Sequence, residues 1–242
     1  MDEAQAFRPM KQSQEQKGNY SDWDTRMSNK EILSHKELRT PRAAAIAGML
    51  FGVLLVTSQL LVWVSIPANP AAADVIRHSR AVSLALNLLP FAGIAFLWFI
   101  AVMRSRLGAL EDRFFATVFM GSGLLYIAMI FTSAAMAAGL IRVLLNAPES
   151  LINTGGYVLG RAQVYQTMTI YGSKMAGVFM FSTSTILLRT MIVPRWIAFV
   201  GYAFGTILLL SVGIIVWVSL VFPVWVFLVS AAILLEKPSR AA

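Results

Sequence analysis

Trp196 to Leu235 is forty residues without a charged side chain. As one helix it would be about 60 Å long, twice the roughly 30 Å hydrocarbon core of a bilayer. A run of this length has no stable place in water, and in lipid it must fold back on itself. The same reasoning extends upstream. Further apolar stretches lie at 43–66, 83–103, 114–138 and 164–188, and each meets the roughly 20 residues a spanning helix needs. With the long run divided into 196–215 and 218–235, the pattern predicts an all-α polytopic membrane bundle of six transmembrane helices. A tight turn is expected near 215–219, after Gly213, with Trp217 at the interfacial depth that suits tryptophan. Pro223 is a competing break, but turning there leaves a last helix too short to cross.

Charge sorts the chain into parts. Residues 1–42 hold eight Lys/Arg and seven Asp/Glu, whereas the remaining 200 hold twelve against five, which leaves +7 of the net +8 on the apolar part. Those basic residues flank apolar runs instead of forming a patch, so they read as topology signals and not as a nucleic-acid surface. Arg39, Arg42, Arg104, Arg106, Arg113, Arg189, Arg195, Lys237 and Arg240 fall on one side. Arg77, Arg80, Arg142 and Arg161 fall on the other. Nine against four predicts that both termini are cytoplasmic. The domain reading is a cytoplasmic tail over 1–41, a membrane domain over 42–236 and a short C-terminal tail over 237–242. Residues 1–28 are too polar to order themselves. Ser28 to Glu31 forms a capping box for a short helix over about 29–39. Thr40-Pro41 reads as N-cap and first residue of the opening span.

The missing chemistry is informative. There is no cysteine, which excludes disulfides, thiolate metal sites and thiol catalysis. The acids between Arg42 and Glu236 are Asp74, Glu111, Asp112 and Glu149, all expected in loops, so no carboxylate serves a proton- or sodium-coupled carrier inside the membrane. The two histidines, His35 and His78, lie outside the spans and cannot ligate a haem across the bundle. Gly121-Ser122-Gly123 has the composition of an intramembrane serine nucleophile, but it lacks the base such a serine needs. No cofactor is implied.

One charge lies inside a span. Lys174 is about ten residues from the outer end of the fourth, near the midplane, where insertion costs about 2.5–3.5 kcal/mol. At about 100° per residue, Gln163, Thr167 and Thr185 share its face and Tyr171 lies close by. Gln59, Asn87 and Tyr126 add polar groups from other spans. These residues predict a polar cavity open to the outside and floored by Lys174, suited to an anion or a hydrogen-bond acceptor. The alternative is a lysine whose amine rests on carbonyls or hydroxyls. Gly48 and Gly52, and Gly201 and Gly205, form GxxxG pairs suited to close helix packing, within the chain or between two copies. Gly121, Gly123 and the run Ser133 to Ala138 give the third span a small-residue face. Asn87 and Pro90 offer a kink in the second.

The segments Pro41-Arg-Ala-Ala-Ala-Ile-Ala-Gly48 and Leu110-Glu-Asp-Arg-Phe-Phe-Ala-Thr-Val-Phe-Met-Gly121 resemble parts of bacterial six-helix integral membrane proteins of unknown function. The likeness covers roughly 40–236. It implies the six-helix architecture and a bacterial plasma-membrane location, and it carries no catalytic residue over. Three roles are open to such a chain. The first is a non-enzymatic binding or assembly component, with the lipid bilayer and a second copy or another membrane protein as partners. The second is a small-solute or anion channel or carrier using the outer cavity. The third is a lipid-modifying enzyme built around Asp74, Arg77 and His78.

Overall fold

In the computed structural model the described residues are 40–65, 72–107, 113–146, 151–152, 154–190, 193–211 and 216–235. The chain divides into two units, Met1–Pro41 and Arg42–Ala242. The capping box at Ser28 and the helix expected over 29–39 lie outside the described residues, as does the C-terminal tail.

Every described element is helical. The first three are α1 (Thr40–Ser65), α2 (Ala72–Leu107) and α3 (Arg113–Asn146). Next come α4 (Gly156–Gln166), a π-helical segment (Thr167–Gly172) and α5 (Ser173–Thr190), joined without a break. Last are α6 (Arg195–Leu210), a short 3₁₀ segment (Val216–Leu220) and α7 (Val221–Leu235), the latter two also continuous. Among the described residues, four helical stretches are long and apolar enough to cross a membrane: Ala45–Trp63, Arg80–Arg104, Phe114–Asn146 and Trp217–Leu235.

Two features depart from the expected spans, the lengths of α2 and α3 and the end of α6. α2 and α3 run 36 and 34 residues, about 54 and 51 Å, well past 83–103 and 114–138. Hydropathy marks only the part of a helix that suits lipid, whereas backbone hydrogen bonding continues wherever no breaker intervenes. Asp74, Arg77 and His78 therefore belong to the first turns of α2 and not to a loop. Pro90 sits inside α2, which continues through it. Finally, α6 ends at Leu210, and Ser211 is already extended, with φ −59° and ψ 129°. That stop comes five residues before the expected 215. At 16 residues α6 is about 24 Å long, shorter than a hydrocarbon core.

The centre of Arg42–Ala242 is aromatic. Phe51 of α1, Phe96 and Phe99 of α2, Tyr126 of α3, Phe179 of α5 and Phe222 of α7 meet there. Phe51 stacks on Phe96 at 4.4 Å between ring centroids, and Tyr126 meets Phe222 edge-on at 4.5 Å. Such pairs contribute about 0.5–1.5 kcal/mol each beyond burial. Glycines let the helices close around them. A Cβ on Gly52 would lie 2.9 Å from the Pro223 carbonyl oxygen, and one on Gly48 would overlap Ser230 and Phe99. The first GxxxG pair is thus the α1/α7 contact. Outward faces carry large exposed apolar side chains, among them Leu84, Phe91, Ile94 and Trp98 on α2. Trp63 and Trp217 pair edge-on at 5.0 Å where α1 ends and the last helical rod begins.

Candidate functional site

Lys174 is the lone charge between Arg161 and Arg189, and the structure uses it at the end of a helix. Its Nζ donates to the carbonyl oxygen of Leu209 and, at 2.7 Å, to that of Ser211. The last carbonyls of a helix have no intrahelical donor, and they carry the negative end of the helix dipole. A lysine amine from the neighbouring helix supplies both donor and charge complement. This arrangement also accounts for the early stop of α6: the chain leaves the helix where a tertiary donor waits for its carbonyls.

The rest of the α5/α6 seam obeys the spacing from Lys174. Gly177, Phe181 and Thr185 lie three, seven and eleven residues further on, which keeps them on one face of an α-helix. A Cβ on Gly177 would sit 3.0 Å from the Gly205 carbonyl oxygen, and one on Gly205 would meet the Phe181 ring at 2.8 Å. Thr185 Oγ1 and Tyr202 Oη share a hydrogen bond of 2.7 Å, and Thr185 also donates to its own helix at Phe181. Gly201 abuts Ser184 and Trp225. The second GxxxG pair is therefore an intramolecular seam. Gly177 completes it, and the sequence signal for it was its place three residues after Lys174.

The other half of the expected polar stripe does not join this face. Thr167–Gly172 is π-helical. A π turn takes up one extra residue, so the helix beyond it is rotated by about 100° relative to the helix before it. Gln163 and Lys174, nearly superposed on an ideal α-helix, thereby point in different directions. Gln163 is exposed, Tyr171 is 60 % exposed, and Thr167 is half-buried within the π segment. Two hydroxyls stabilise the entrance to that segment. Ser133 Oγ of α3 donates to the Val164 carbonyl at 3.0 Å, and Thr169 Oγ1 donates to the Tyr165 carbonyl at 2.6 Å.

The remaining expected residues are also apart. Asn87 is exposed on α2. Tyr126 is buried in the aromatic centre among Phe51, Phe96 and Phe222. Gln59 is 2 % exposed and lines a separate cavity of about 20 Å³ with Ser58, Leu89, Ser133, Val164 and Met168. The seven polar residues thus do not form one vestibule over Lys174; the cavity borders Gln59 alone among them. Four buried side-chain atoms have no hydrogen-bond partner among the described residues: Gln59 Oε1, Arg161 Nε, Ser184 Oγ and Ser230 Oγ. Of these four residues only Gln59 borders that cavity. Ser184 and Ser230 are pressed against Gly201 and Gly48, where a small side chain is what the helix approach requires.

Arginines near the ends of the rods are engaged by soft partners. Arg161 lies over the Tyr165 ring at 4.6 Å and Arg189 over Phe115 at 5.0 Å. Arg104 Nη1 donates to Met120 Sδ at 3.2 Å. Ser122 donates to the carbonyls of Val118 and Phe119 in its own helix, the usual use of a serine hydroxyl in a helix interior.

The fold and these contacts define a class, an all-helical bundle with lipid-compatible helices. Comparison with known proteins goes no further: no family model, no curated protein and no solved structure matches the chain. The resemblance carried by Pro41–Gly48 and Leu110–Gly121 therefore assigns no family.

Proposed function

We propose that the protein is an integral membrane protein of six crossings with both termini in the cytoplasm, and that it acts by binding or assembly and not by catalysis. Six helical rods among the described residues support the crossing number: α1, α2, α3, the continuous α4–π–α5 rod, α6, and the 3₁₀–α7 rod. The observation that carries the binding reading is the use of Lys174. Its amine serves the end of α6, which leaves an outward vestibule without its floor. What the bundle offers instead is its exterior. Leu84, Phe91, Ile94 and Trp98 are each at least half exposed on α2, and a face of this kind is met by lipid or by another membrane helix.

Site-specific photo-crosslinkers at Phe91 and Trp98, in intact membranes, test this reading. A discrete protein adduct, either a second copy or another membrane protein, is the expected result. Lipid adducts alone at both positions contradict it. Reporter fusions at the two ends test the topology, with both expected on the cytoplasmic face.

A carrier is the second reading, and one feature favours it. α6 stops after about 24 Å beside a π-helical rod, and interrupted helices are where carriers place their substrates. Anion flux into proteoliposomes that disappears in Lys174→Met would establish this alternative.

A further inference from the structure

We propose that the end of the bundle where α2 and α5 stop and α3 and α6 start is a docking surface for anionic phospholipid headgroups, with Arg104 and Arg189 as the residues that hold the phosphates. α2 ends at Leu107 and α3 begins at Arg113, while α5 ends at Thr190 and α6 begins at Arg195. The contact of Arg189 with Phe115 brings the end of α5 to the start of α3. The lipid-compatible stretches Arg80–Arg104 and Phe114–Asn146 also stop and start here, which puts Arg104 and Phe114 at the depth where hydrocarbon gives way to headgroups. Each guanidinium is positioned by α3 and keeps donors to spare. Arg189 lies over the Phe115 ring at 5.0 Å, a contact made through the face of the cation. Arg104 Nη1 donates to the Met120 thioether at 3.2 Å, a weak acceptor. An arginine presents a planar fork of several N–H groups, and these contacts use one donor of Arg104 and none of Arg189. Both side chains are exposed.

No described carboxylate is placed to take those donors. Asp74 is the sole acid among the described residues, and it stands near the other end of α2, about 45 Å from Arg104 along the helix. In sequence, segments 104–113 and 189–195 together carry five arginines against Glu111 and Asp112, a net charge of +3. A phosphodiester is the anion this chemistry fits, because the guanidinium fork matches two phosphate oxygens. The net positive charge selects an anionic headgroup over a zwitterionic one, whose cationic part it repels. The neighbours favour a lipid over a free phosphate. Phe114 and Trp196 are 66 % and 58 % exposed at the same end, and aromatic rings suit the headgroup level of a bilayer. The inference rests on the membrane placement proposed above, and it is independent of whether a second protein covers the bundle's exterior.

Native mass spectrometry tests the assignment, on the full-length protein released from micelles supplied with equal amounts of phosphatidylglycerol and phosphatidylcholine of the same acyl chains. The wild type is expected to retain phosphatidylglycerol several-fold over phosphatidylcholine, and the double variant Arg104→Gln, Arg189→Gln is expected to bring the two near parity. The double variant Arg104→Lys, Arg189→Lys keeps both charges and is expected to hold most of the preference, which checks that the Gln effect is not misfolding. Arg142→Gln removes a charge at the far end of α3 and is expected to leave the preference unchanged. Inorganic phosphate in large molar excess is expected to leave the lipid bound. Parity in the wild type, an undiminished preference in the Gln double variant, an equal drop in Arg142→Gln, or displacement of the lipid by free phosphate overturns the site. Purified chain that stays monodisperse without detergent would overturn the membrane reading itself, a result separable from these because it needs no lipid.

Discussion

Two polar regions of the bundle, the α5/α6 seam and the cavity beside Gln59, are built on opposite terms. At the seam the polar groups are matched from within the protein. Lys174 meets the carbonyls of Leu209 and Ser211, Thr185 meets Tyr202, and Gly177 and Gly205 bring the backbones close enough for those contacts to form. Beside Gln59 the hydroxyls are matched and the amide oxygen is not, and the helices stand far enough apart to leave a space. The difference teaches how to weigh a polar residue in an apolar run. The costliest group to bury, the lysine, is met by the carbonyls of a helix terminus, which need the donor it carries. The less costly amide is the group left without a donor.

The comparison can be broken most forcefully at Lys174. Lys174→Met removes both hydrogen bonds and leaves the end of α6 without a donor. A loss of about 2–3 kcal/mol is expected, read as a lowered thermal unfolding midpoint in detergent; an unchanged midpoint would mean that the amine does not hold α6. Next comes close approach. Gly205→Val places side-chain atoms against Phe181 and the Gly177 backbone, and a loss of about 1–3 kcal/mol by overpacking should result. A neutral result would remove the glycines from the seam. Thr185→Val deletes one interhelical hydrogen bond and should cost about 0.6–1 kcal/mol. A double-mutant cycle with Tyr202→Phe measures that coupling directly, and additivity of the two changes would dissolve the pair. Smallest are Tyr171→Phe and Gln163→Leu. Both side chains face outward, so changes within about 0.5 kcal/mol are expected, and a larger loss would return them to a buried network.

Much of the fold is written in the apolar periodicity. Each lipid-compatible helix coincides with a run of apolar residues, and the glycine pairs that the sequence singles out are the ones at which helices touch. Lys174 and Thr185 also share a face as their spacing requires, since only α-helix lies between them. The stripe fails upstream because a π turn inserts a residue into the helix count, and no hydropathy pattern marks it. One of the hydroxyls that meet its entrance, Ser133, belongs to α3, which no local window contains. The stop of α6 is hidden for the same reason. Gly213 and Trp217 are what the sequence offers as turn signals, whereas the helix ends earlier, where Lys174 reaches its carbonyls. Gln59 is legible as an unusual residue, but its cavity is formed by residues from five helical segments, and composition cannot assemble them.

The most direct measurement is a single-cysteine accessibility scan from Gln163 to Arg189, which the cysteine-free sequence allows without background. With a membrane-impermeant thiol reagent, labelling is expected at the outer end of the rod and is expected to cease within the π segment, with no reactive position from Lys174 through Thr185. A labelled stripe recurring every three to four residues through Thr167, Tyr171, Lys174 and Thr185 would contradict the sealed seam and restore a water-filled path along this helix.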